Sequence, residues 1–229
     1  MKKTIHSEAA YLIGLVLLAT GVCFMEKSDF GVSMVVAPAY VLYRHFSLSF
    51  SWFTFGMAEY LTQGIFLLIM IAALRHVQLS YLLSFATAVL YGFILDGVML
   101  IFGSIPAGGI IGRLISFTVG MILCGAGVSM MFHTYLSPEV YELVVKEISR
   151  FFRLDIHRVK TCYDVCSTLI AVILSFVFFG FGKFIGVKLG TFFCALINGW
   201  LIGRISKFID KHFEFKDLLP WRGFFLKER

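Results

Sequence analysis

The chain has 229 residues, 59% of them hydrophobic and 15% charged, against about 25% charged in soluble domains. A water-soluble core of this length cannot hide so much apolar surface, 26 Phe among it, so the composition excludes a soluble globular domain and points to lipid. The net charge of +6 would suit nucleic acid, but a membrane protein acquires such a charge from its topology, and no nucleic-acid partner is expected.

Six apolar segments come near the roughly 20 residues a bilayer demands: 8–26, 51–74, 79–103, 110–133, 161–182 and 185–206. Each is expected to be helical, because lipid offers no partners to free backbone groups. The first follows Met1-Lys2-Lys3, as a secretory signal would. Without a small-residue cleavage site, and with further spans behind it, it reads as a retained anchor. The segment 33–50, between the first two spans, opens with Ser33 and Pro38; its counterpart 137–160 opens with Ser137 and Pro138. Both read as short helices lying on the membrane or dipping into it. In the second, Val140, Leu143, Val144, Ile148 and Phe151 fall on one stripe, with Glu142, Lys146, Glu147 and Arg150 on another side. That is the pattern of an interfacial amphipathic helix. Residues 209–229 form a basic tail; with Phe208, Phe213, Phe215, Trp221 and Phe224 it suits an anionic lipid surface.

Lys and Arg set the orientation. With the N-terminus in the cytoplasm, Lys2, Lys3, Arg75, the run from Lys146 to Lys160 and the tail all lie inside. Only Lys27, Arg44, Lys183 and Lys188 lie outside. Both termini are therefore expected in the cytoplasm. The five cysteines, Cys23, Cys124, Cys162, Cys166 and Cys194, lie in or near spans and form no disulfide framework. Cys162 and Cys166 share a helix face, yet no His or third Cys joins them at ligand spacing, so packing is the expectation and no metal site is predicted.

The sequence also repeats itself. Gly14 and Gly21 of the first span match Gly120 and Gly127 of the fourth, and "GVCFM" matches "GVSMM". Glu59, Thr62 and Gln63 form a polar stripe in the second span, as Asp164, Ser167 and Thr168 do in the fifth. Ala88, Gly92 and Asp96 in the third are matched by Gly190, Cys194 and Asn198 in the sixth. The repeats divide the chain into 1–104 and 105–208, three spans each. An odd number of spans inverts the second half, and the poor and rich Lys/Arg content of 33–50 and 137–160 agrees. The expected fold is therefore all-α, polytopic, with two inverted-topology three-helix repeats, each carrying a short interfacial or re-entrant helix. The alternative is that these two segments cross the membrane, giving parallel four-helix halves at a cost for each charge carried through.

The stretches "SDFGVSMVVAPAYVL", "FSLSFSWFTFG", "HRVKTCYDV" and "VKLGTFFCALINGWLIGRI" resemble the YczE/YitT-like bacterial membrane proteins, over roughly 14–208. The soluble C-terminal domain usual in YitT members is not expected, which places the resemblance nearer the YczE-like branch. It implies a small multi-pass protein of the bacterial cytoplasmic membrane and supplies no substrate.

The polar residues within spans carry the functional reading. Glu59, Thr62, Gln63, Asp96, Asp164, Ser167, Thr168 and Asn198 are expected to face the bundle interior along a substrate or ion pathway, because an ionisable residue in a span is a functional candidate by default. The plainer readings are interhelical hydrogen bonds and, for Asp164, a pair with Lys160 four residues earlier. Arg113 is expected to counter Asp96. Gly14, Gly21, Gly92, Gly120, Gly127 and Gly190 are read as helix-packing positions. The sequence has no G-x-S-x-G, H-E-x-x-H, Walker A or dinucleotide motif, so neither enzymatic activity nor a cofactor is expected. The expected function is transport or export of a small solute, coupled to protons through Glu59, Asp96 or Asp164. A substrate-binding subunit of an import complex and a non-transporting assembly factor are the alternatives. Pairing with a second copy or a partner subunit is left open.

Overall fold

The computed structural model describes residues 3–106 and 108–218, with His157 by its backbone alone. Its order is β1 (Lys3–His6), α1 (Ser7–Ser28), α2 (Ala37–Phe46), α3 (Phe55–Leu74), α4 (Leu79–Phe102), α5 (Ile110–Phe132), α6 (Val140–Phe152), α7 (Ile156–Phe179), α8 (Leu189–His212) and β2 (Phe213–Lys216). Among the described residues six helices are long and apolar enough to cross a membrane: α1, α3, α4, α5, α7 from Arg158, and α8. Many of their exposed residues are large and apolar, with Leu100 and Leu196 each 83% exposed. Such a surface belongs in lipid, and the protein is a multi-pass membrane protein.

The spans depart from the apolar runs at places with a chemical cause. The α3 helix starts at Phe55 because Thr54 caps it, its hydroxyl accepting the Met57 N–H at 3.2 Å. The fifth span stops at Phe179 because Gly180, Gly182 and Gly186 follow in the left-handed region, which glycine enters without a Cβ penalty. The sixth then starts at Leu189 and runs on to His212.

The centre of the bundle is the contact between α1 and α5, the most extensive between any two elements. Glycines make it possible. A Cβ on Gly21 would lie 2.6 Å from the Gly120 carbonyl oxygen, and one on Gly127 would lie 2.6 Å from that of Gly14. Backbones this close exchange dispersion contacts that any side chain would block. Around this pair, α4 packs on α1 and α8 packs on α5. The α3 helix lies along α4, where a Cβ on Gly92 would meet the Gly56 oxygen at 2.7 Å. Gly190 similarly abuts the Phe30 oxygen, 2.6 Å from a Cβ placed there. The α7 and α8 helices have no contact comparable to that of α3 with α4.

The two short helices cross-connect the halves: α2 packs on α7, and α6 packs on α3. Each begins among the long helices. Just before α2, the Met34 carbonyl accepts from Ser167 Oγ at 2.9 Å, halfway along α7. At the far end of α2, His45 stacks on Phe178 at the end of α7, with ring centroids 4.1 Å apart. Likewise the first N–H of α6, on Val140, donates to Gln63 Oε1 at 3.1 Å, halfway along α3. Further along α6, Glu147 accepts from Tyr81 at the start of α4. Both are short helices whose N-termini lie beside the middles of α3 and α7, inside the bundle.

The amphipathic reading of α6 is corrected accordingly. Val140, Leu143 and Val144 are buried against α3 and α4, not turned to lipid. Glu147, expected on the wet side, is buried and bonded to Tyr81 at 3.0 Å. Phe151 alone of the expected stripe is exposed, at 59%.

The two described ends meet on one face. β1 and β2 pair in parallel, from Lys3 opposite Phe213 to His6 opposite Lys216. Ser7 Oγ donates to Asp217 Oδ1 at 2.9 Å. The first residues of the expected basic tail are ordered against the bundle. Residues 209–212 extend α8, 213–216 form β2, and Phe215 stacks on His133 at 5.3 Å. Residues 219–229, with Trp221 and Phe224, lie outside the described residues, as does Lys2.

Candidate functional site

The N-termini of α2 and α6 meet in one cavity of about 90 Å³. Ser33, Val35 and Val36 bring the α2 start to its wall; Pro138, Glu139, Tyr141 and Glu142 bring the α6 start. Tyr91 of α4, Cys124 of α5, Lys160 of α7 and Asn198 of α8 complete the polar and polarisable lining. A second cavity of about 220 Å³ adjoins it between α7 and α8, sharing Ser33, Val35, Lys160, Asn198 and Ile202 and adding Asp164. It occupies the place where α7 and α8 fail to pack. A single water centre needs only about 10–15 Å³, so both spaces hold several waters or a small solute.

Local sequence explains how these groups arrive there. Pro38 sits in the first turn of α2, and Pro138 precedes the α6 cap. A proline fixes φ near the helical value and lacks the N–H that a first turn leaves unpaired. Glu139 is the α6 N-cap residue, yet its side chain makes no capping bond. It is 7% exposed, and Oε1 has no partner among the described residues. Burial, then the nearby carboxylates of Glu59 and Glu142, pushes its carboxyl well above the usual range.

Behind this wall stands Glu59, fully buried. Its Oε2 accepts from Tyr141 Oη at 2.7 Å, and its Oε1 is unpartnered among the described residues. Gln63 spends its oxygen on Val140 N–H. Tyr91 Oη and Asn198 Oδ1, both on the cavity lining, likewise lack partners among the described residues. Lys160 reaches Glu142 at 3.1 Å and Asp164 at 3.4 Å.

The expected residues therefore divide. Asp164 and Asn198 line cavity surface, and Glu59 with Gln63 stands one layer back. Thr62 and Thr168 bond the carbonyls of Ala58 and Asp164 four residues earlier in their own helices, and Ser167 holds Met34. Asp96 lies elsewhere, lining neither cavity. Its Oδ2 accepts from Thr54 Oγ at 2.6 Å and its Oδ1 from Gly56 N–H at 2.7 Å, at the start of α3. The expected pair of Arg113 with Asp96 does not form. Arg113 donates to the Ser28 carbonyl at 2.7 Å and pairs with Asp29 at 2.8 Å, which also binds Lys188. The reason is topological: Arg113 follows a loop that returns beside the C-terminus of α1, where Asp29 caps the helix. Cys162 and Cys166 are exposed on α7, not packed in the core. Among the described residues no cluster of three His, Cys, Asp or Glu has the geometry to hold a metal.

Glu139, Tyr141 and Tyr91 were not singled out from the sequence. The only signal was the shared Ser-and-Pro opening of the two interspan segments, which marks where both short helices begin.

The chain belongs to a family of unknown function, DUF6198, whose model matches residues 5–207. No curated protein matches the chain. No solved structure matches it either. The match joins the chain to this family, and nothing in it points to the YczE/YitT-like proteins.

Proposed function

We propose that the protein transports a small solute, and that it is built from two inverted three-helix repeats in the cytoplasmic membrane of its cell, with both ends inside. The observation that carries this reading is the single cavity walled by two half-helix N-termini, one from each half of the sequence. Discontinuous helices that end at mid-depth on a repeat interface are how many transporters make a solute site. The packing supports a pseudo-twofold relation: α1 lies on α5, α1–α4 is matched by α5–α8, and α2–α7 by α6–α3. The symmetry is broken where α3 lies along α4 but α7 stands off from α8. That is the pattern of one side closed and the other open, and solute reaches the cavity between α7 and α8.

The test is reconstitution of the protein alone in sealed vesicles loaded with soluble metabolite extract. Mass spectrometry of the outside medium should show at least one solute leaving faster than from protein-free vesicles. Release of none would overturn the reading. A substrate-binding subunit of a larger complex would instead copurify with an ATPase partner and move nothing unaided.

A further inference from the structure

Carboxyl groups outnumber cationic groups around the cavity. Glu139 and Glu142 line it, Glu59 stands behind Tyr141, and Asp164 lines the adjoining space. Lys160, the cation facing them, is already shared between Glu142 and Asp164. Glu139 and Glu59 keep one oxygen each without a hydrogen bond within normal reach among the described residues, as do Tyr91 Oη and the Gln63 amide nitrogen that faces both carboxyls. Glu139 and Tyr91 are more than nine-tenths buried and both line the cavity. Buried polar atoms of this kind are almost always partnered by protein, water or ligand. The starts of α2 and α6 supply roughly half a positive charge each, which offsets only part of the excess.

We propose that the cavity binds a small organic cation through its N–H groups, with Glu139 as primary anchor and Tyr91 beside it on the lining, in exchange for a proton carried by Glu139 when the cation is absent. The exchange balances: a protonated Glu139 carboxyl and an alkylammonium ion become a carboxylate–ammonium pair, and the proton leaves to cavity water. An anion would meet Glu139 and Glu142, while the lysine that could hold it is already engaged. The groups that face Glu139 are Glu59 and Gln63 of α3, Tyr91 of α4, Tyr11 of α1, Cys124 of α5, Tyr141 and Glu142 of its own helix and Lys160 of α7. Only Lys160 among them is cationic, and its pairs leave Glu139 free to exchange. The two adjoining spaces, about 90 and 220 Å³, set the size at a simple amine or an amine of amino-acid dimensions.

This inference deepens the transport reading and rests on it for passage across the membrane, though not for binding. The test is thermal unfolding of the purified full chain in nanodiscs. One arm titrates amines from methylammonium to spermidine, the other carboxylates from acetate to citrate, at several pH values between about 6 and 8.5, where a primary amine stays charged. At least one amine should stabilise the protein, its apparent affinity rising up to about tenfold per pH unit while Glu139 is protonated, then levelling. Calorimetry in buffers of different ionisation enthalpy should record about one proton released per cation bound. Glu139→Gln should lose about tenfold or more in affinity and the pH dependence with it; if that variant fails to fold, proton release by the unaltered protein decides. Stabilisation by carboxylates only, by no amine, or equally in Glu139→Gln would overturn the proposal. Solute flux without amine binding would overturn the cation site and leave transport standing. Amine binding without flux would do the reverse.

Discussion

Gln63 Oε1 accepts the backbone N–H of Val140 at 3.1 Å, so a side chain of the first half holds the opening turn of the second half's short helix. Ser167 Oγ returns the relationship, donating to the Met34 carbonyl just ahead of α2. The first N–H groups of a helix have no partner within it and must find one outside it. Gln63→Met fills a similar volume but leaves that donor bare. It should cost about 1–3 kcal/mol of stability and lower the unfolding temperature without changing the protein's oligomeric state. A variant that melts with the unaltered protein would show that water, not Gln63, serves the α6 terminus.

Glu139 makes a second prediction, with its sign fixed by linkage. In the unfolded chain a glutamate titrates near about 4.3, whereas burial and the carboxylates of Glu59 and Glu142 raise it in the folded protein. Between those two values the folded state holds a proton that the unfolded state has lost. Stability therefore falls as pH rises through that window, by up to about 1.4 kcal/mol per pH unit, and the fall ends above the raised value. Glu139→Gln removes this slope and should be at least as stable as the parent at neutral pH. Melting curves from about pH 5 to 8 decide; parallel slopes in both proteins would mean that Glu139 is already ionised throughout.

The glycine contacts make the third. A Cβ on Gly21 meets backbone and Cys124 Sγ, both at 2.6 Å, and the opposing helix cannot yield without separating from α1. A Cβ on Gly199 meets nothing within 4 Å. Gly21→Ala should destabilise by about 1–3 kcal/mol, whereas Gly199→Ala, in a helix interior, should be neutral or stabilise slightly. Equal melting temperatures for the two would show that α1 and α5 are not in close contact.

Much of this was legible before any coordinates, because lipid leaves a chain few choices. Each of the six apolar runs overlaps its helix, and the glycines matched between spans lie at close backbone approaches. The stripes Glu59-Thr62-Gln63 and Asp164-Ser167-Thr168 do turn inward for the most part. What could not be read was the depth of the interspan segments. An apolar stripe on α6 is the same pattern whether it rests on lipid or on α3 and α4, and only tertiary contact distinguishes them. Glu139 was passed over for a related reason: an acid at the start of an amphipathic helix ordinarily faces water and favours the helix dipole. Arg113 and Asp96 were matched by opposite charge alone, while the nearer partner, Asp29, sat at a helix end that the pattern left unassigned.

Asp96 carries the last prediction, and it runs against the sequence reading. Its two oxygens receive the Thr54 hydroxyl and the Gly56 N–H, while Thr54 Oγ in turn receives Met57 N–H. Asp96 thus completes the cap of α3 and fixes α4 to it, at the contact where Gly56 and Gly92 bring the two backbones together. The expected duty of such a carboxylate is structural. Asp96→Ala leaves two donors bare and should cost about 1–3 kcal/mol. Asp96→Asn keeps one acceptor and should cost less. Neither change reaches the cavity, so any variant that folds should retain the parent's dependence of amine binding on pH, while Glu139→Gln flattens it. The comparison is direct, because both residues are carboxylates and both can be replaced by their amides. If Asp96→Asn folded to parental amounts yet lost the pH dependence, the titrating group would be Asp96, and Glu139 would be a passive part of the wall.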